Sequence, residues 1–69
     1  MAAQQQPLDE VIRRVQGEYI EMPGLRLTPA QAMRLWGLER EMCARVIEGL
    51  VDTAFLRWTR GGTIALAEE

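Results

Sequence analysis

The segment from Thr28 to Gly37 carries both a start and a stop for a helix. In Thr28-Pro29-Ala30-Gln31 the threonine hydroxyl can accept from an unpaired amide of the first turn. Pro29 sits at the first helical position, where its missing N–H is no loss, and Gln31 can reach back to complete a capping box. Gly37 closes the segment about two turns later, because glycine enters the left-handed conformation at the least cost. The bracket predicts a short helix over 29–36, with Leu38 plugging the turn that follows. A chain of 69 residues makes one domain with a modest core. The rest of the sequence must therefore pack around this short element.

The flanking segments supply the packing partners. Pro7 suits a first helical turn, and Leu8, Val11, Ile12, Val15, Tyr19 and Met22 then recur at spacings of three and four. This predicts a helix over 8–22 with one apolar stripe and with Asp9 and Glu10 near its amino end, where they favour the helix dipole. Pro23-Gly24 ends it, and Leu25-Arg26-Leu27 reads as a short extended connector. A third helix is predicted over 39–53. Cys43, Val46, Ile47 and Leu50 form its buried face, and Arg40, Glu41, Ala44, Arg45 and Glu48 lie opposite.

Beyond residue 54 the period changes. Residues 55–59 and 63–67 read as two strands joined by Arg60-Gly61-Gly62. A three-residue loop sets Trp58 opposite Ile64 and Leu56 opposite Leu66, whereas a two-residue Gly-Gly loop sets Trp58 opposite Ala65. The first register aligns four apolar side chains on one face and is the one expected. An isolated hairpin is not stable, so it must pack on the helices. The predicted fold is α+β, mainly α: three helices with a C-terminal β-hairpin in one domain over 7–67. A polar, disordered tail is expected at 1–6 and an acidic end at 68–69.

Composition narrows the function classes. There is one cysteine, Cys43, and no histidine, so neither an internal disulfide nor a zinc site is expected, and no cofactor is implied. The usual nucleophile–base pairs are missing, and Asp9 and Glu10 diverge around their helix, so no enzyme is expected. No apolar run reaches the length of a membrane span, and the first residues lack the pattern of a secretory signal, which leads us to expect a cytoplasmic protein. All eight basic residues are arginine, the net charge is −2 and the pI is about 5.1. The charge is unevenly spread. Residues 24–67 hold six arginines against four acids, and both ends are acidic.

The order helix, short extended segment, capped short helix, glycine turn, longer helix and hairpin resembles the winged helix-turn-helix superfamily over roughly Leu8 to Leu66. The specific part is Leu27 to Leu38. Ala32, Leu35, Gly37 and Leu38 fall in the small, apolar, turn and apolar slots of bacterial helix-turn-helix regulators. The stretch Leu50 to Leu56 resembles the link from recognition helix to wing, although the family often has glycine where this chain has Ala54. The resemblance implies that helix 39–53 enters the major groove of double-stranded DNA and that the hairpin touches the adjacent backbone. It maps Arg40, Glu41, Ala44 and Arg45 onto base edges, Thr28 onto phosphate, and Arg57 and Arg60 onto the wing contact. A homodimer is the implied arrangement, since a single module makes a small interface.

Each of these signals also has a plainer meaning. Glu41 and Arg45 are spaced as an i,i+4 ion pair on a solvated helix face. Arg57 and Arg60 can protect a strand edge from aggregation. Trp36 and Trp58 are read as core residues with an exposed indole edge, Cys43 as an inert core thiol, and the methionines as packing. The acidic pI favours the alternative of a protein-interaction module with the same fold, presenting one of the longer helices or the wing to a protein partner.

Overall fold

α1 (Leu8–Glu21) forms over the three-and-four spacing and buries Val11, Val15 and Tyr19. The two ends of its stripe are exposed, in contrast to the middle. Leu8 opens the helix, and Met22 follows its last residue with a non-helical backbone, so neither reaches the core. The computed structural model describes residues 7–67, and the tail at 1–6 and the acidic end at 68–69 lie outside the described residues.

α2 (Pro29–Trp36) begins with the expected capping box. Gln31 N–H donates to Thr28 Oγ1 at 3.1 Å, and Thr28 N–H donates to Gln31 Oε1 at 2.9 Å. It ends at Gly37, whose φ of 67° and ψ of 40° lie in the left-handed region and let Leu38 N–H donate back to Met33 O. α3 (Arg40–Asp52) buries Cys43, Val46, Ile47 and Leu50. It ends with the same reversal built on a different residue. Ala54 N–H donates to Val51 O and Phe55 N–H to Leu50 O, a pattern that needs a left-handed residue between them, and Ala54 takes φ 66°. An L-residue with a Cβ pays about 1–2 kcal/mol in that conformation.

The strands are β1 (Arg26–Leu27), β2 (Leu56–Trp58) and β3 (Ile64–Leu66), in an antiparallel sheet of order β1-β3-β2. The connector expected at 25–27 is thus partly a strand, and the hairpin is extended to three strands. Leu27 stands opposite Ile64 and is buried with it, so pairing β1 to β3 also brings an apolar side chain into the core. The hairpin register is the expected one, with Trp58 opposite Ile64 and Leu56 opposite Leu66. Its three-residue loop is closed by Thr59 N–H donating to Thr63 O at 2.8 Å, and Gly62 supplies the left-handed residue at φ 83°.

All these elements meet in one core of Val11, Val15, Tyr19, Val46, Leu50, Leu56 and Ile64, among others. Burying each of the larger aliphatic side chains contributes about 1.5–3 kcal/mol. Two polar ties cross it. Tyr19, fully buried on α1, donates its hydroxyl to Ile64 O at 2.9 Å on the central strand. Burial, aided by the neighbouring Glu18 carboxylate, pushes its pKa up to about 12. Trp36, 3% exposed, donates its indole N–H to Glu18 Oε1 at 3.1 Å, and its carbonyl accepts from Arg14 Nη2 at 2.6 Å. Arg14 and Glu18, one turn apart on the polar side of α1, therefore fasten the end of α2.

Trp58 departs from the core placement expected of it: it is 48% exposed. It alternates with Arg57 and shares the inner face with buried Leu56. But β2 is an edge strand, and Trp58 lies at the loop end of it, where the helices cover only part of the ring.

Candidate nucleic-acid interface

α3 is held by its apolar face against α1, α2 and β2, which fixes the direction in which its other face points. Arg40, Glu41, Ala44, Arg45 and Glu48 are exposed there. Glu39 and Glu41 precede or open the helix, Glu48 and Asp52 lie further along it, and the face carries more acid than base. Among the described residues, Arg14 is the arginine that takes part in a side-chain hydrogen bond, so Arg40 and Arg45 are not committed to the fold in that way.

Two depressions run along this face. One, of about 270 Å³, lies between α2, α3 and β2, with Pro29, Met33, Arg40, Ala44, Ile47 and Trp58 among its walls. The other is bounded by Leu8, Arg45, Gly49, Val51, Asp52 and Trp58. Glu48 and Trp58 belong to both, so they form the ridge between them. Thr28 stands at the head of α2 beside Pro29, with its hydroxyl oxygen already accepting from Gln31. Arg40, Ala44 and Arg45 thus share the exposed face of α3, Glu41 borders Arg45 at the amino end of the helix, and Thr28 stands apart as the cap of α2, next in the chain to Pro29 of the groove wall.

The hairpin arginines are separated from each other. Arg60 is exposed in the loop at the hairpin tip. Arg57 lies on the outer face of the sheet, away from α3, because it alternates with inward Leu56 and Trp58. There it shares a row with Ala65 and Arg26. The sequence reading places Arg26 in the extended connector 25–27 and gives it no part in a site. The available signal was the alternation Leu25-Arg26-Leu27, which marks a half-buried strand with one outward residue.

Cys43 is buried, and burial pushes its thiol pKa up, away from the reactive thiolate. Among the described residues no group of three or more His, Cys, Asp or Glu side chains is placed to hold a metal ion, and no helix is long and apolar enough to cross a membrane. No family model matches this chain, and neither a curated protein nor a solved structure matches it.

Proposed function

We propose that the chain is a winged helix-turn-helix module that binds duplex DNA, with α3 in the major groove and the hairpin tip on the neighbouring backbone. The observation that carries this reading is the exposed face of α3. Arg40 and Arg45 stand on it with the small Ala44 beside them, so the helix can approach base edges closely while the arginines offer forked donors to guanine or phosphate. From the hairpin, Arg60 is the residue placed at the tip. Because acids outnumber arginines on α3, non-specific attraction is modest, and the salt dependence of binding reflects only the few arginine–phosphate contacts the surface can make.

A second reading rests on a different observation. Trp58 is half exposed beside an apolar groove, an arrangement suited to anchoring a protein partner. Fluorescence anisotropy with labelled random duplex, at low salt and at about 0.15 M, tests the first reading against the second. Binding that weakens as salt rises is expected. Arg45→Ala should reduce discrimination between sequences, and Arg60→Ala should weaken all duplexes alike. Absence of binding at low salt overturns the DNA reading. A partner retained after nuclease treatment and lost in Trp58→Ala then establishes the second.

A further inference from the structure

We propose that the outer face of the sheet carries an oxyanion site, in which Arg26 and Arg57 clasp a phosphate group above Ala65. The two arginines sit on the two edge strands, each directly opposite Ala65 on the central strand. Strand spacing sets their Cα atoms roughly 10 Å apart, a span that two long side chains close from either side. Ala65 faces outward with them yet is only 5% exposed, and both arginines line the cleft over it together with Pro23, Gly24 and Leu66.

The described lining of this cleft carries charge of one sign. It holds two guanidinium groups and no carboxylate among the described residues. From Met22 to Leu38 and from Thr53 to Ala67 the chain has arginines and no acid at all. Neither Arg26 nor Arg57 takes part in a side-chain hydrogen bond among the described residues. Two like charges facing one cleft favour an anion between them, and a guanidinium pair offers parallel N–H donors that match the oxygens of phosphate. Gly24 leaves the rim open, since a Cβ there would meet no atom within 4 Å. The site is distinct from the α3 face, which lies on the other side of the sheet, and it stands whether or not α3 reads DNA.

The test is NMR titration of the full chain with inorganic phosphate, against sodium chloride at equal ionic strength, following the arginine Nε–H signals and the Ala65 amide. Saturable shifts confined to Arg26, Arg57, Gly24 and Ala65 are expected, with affinity about tenfold weaker in Arg26→Gln or Arg57→Gln and recovered in part by Arg26→Lys. Far-UV circular dichroism of each variant confirms that the fold is kept. Shifts that never saturate, that appear equally at Arg13, Arg34 and Arg60, or that persist unchanged in folded Gln variants overturn the proposal. Short duplex DNA added at half-saturation identifies the source of the phosphate. Displacement of the phosphate response assigns the site to a nucleic-acid backbone, and an unaltered response assigns it to a free phosphoanion.

Discussion

Trp36 closes α2 and Trp58 closes β2, and the two residues are treated in opposite ways. Around Trp36 the polar side chains serve the fold: Glu18 accepts from the indole N–H and Arg14 donates to the backbone carbonyl, so charged residues of α1 are spent on packing α2. Around Trp58 it is an apolar side chain that is left to solvent, with Arg40, Arg45 and Glu48 nearby along α3. A large aromatic residue on an edge strand is not needed there for burial. The difference is one of coverage: the seam between α1 and α2 closes over Trp36, whereas the sheet edge leaves the Trp58 ring half open beside α3.

The largest expected effect tests the closed seam. Trp36→Ala should cost about 3–5 kcal/mol, which is most of the margin of a domain this small. Urea unfolding followed by circular dichroism measures it, and a loss below about 1 kcal/mol would erase the contrast with Trp58.

Next comes the buried hydroxyl on the same side. Tyr19 keeps its proton in the fold up to about pH 12 but loses it near 10 when unfolded. The native state then binds more protons, so stability falls as pH rises from 10 toward 12, by up to about 1.4 kcal/mol per pH unit, and is unaffected by this group below 10. Cys43, also raised, acts with the same sign from its ordinary value upward. Tyr19→Phe should flatten the decline above pH 10, and an unaltered decline would mean that the hydroxyl is not shielded as described.

A smaller effect lies between the two, where α3 hands over to β2. Ala54→Gly should stabilise the protein by about 1 kcal/mol, because it relieves the left-handed alanine that Gly37 avoids at the end of α2. A lower midpoint in thermal unfolding would show that the loss of Ala54's restraint on the unfolded chain outweighs that relief. The smallest effect is on the exposed side. Trp58→Phe should change stability by no more than about 0.5 kcal/mol. It leaves Trp36 as the one tryptophan, and indole emission that iodide quenches poorly is the expected outcome.

Much of the architecture was legible because it is written in local chemistry. Thr28, Gln31 and Gly37 announce the limits of α2 through side-chain caps and backbone freedom, and the register of Trp58 against Ile64 follows from loop length. What was illegible depends on which elements meet. Nothing near Leu25-Arg26-Leu27 says that it will pair with residues 64 and 65, and the exposure of Trp58 follows from β2 being at the edge once that pairing exists. Likewise Arg14 and Glu18 read as a solvated helix face until α2 is laid across them. The α3 face was traceable from helical spacing, but the separation of Arg57 from Arg60, and the alignment of Arg57 with Arg26, are properties of the assembled sheet.

The central strand has a kinetic consequence. Among the described residues β3 is the last regular element to be made, yet it lies between the other two strands and receives the Tyr19 hydroxyl from 45 residues upstream. Until residues 64–66 have left the ribosome, β1 and β2 have no strand between them and Tyr19 has no carbonyl to address. The three helices can form transiently before that, but they cannot lock. Folding should therefore be a single concerted event that follows synthesis of the hairpin, with relaxation rates set by closure of long loops rather than by growth of helices.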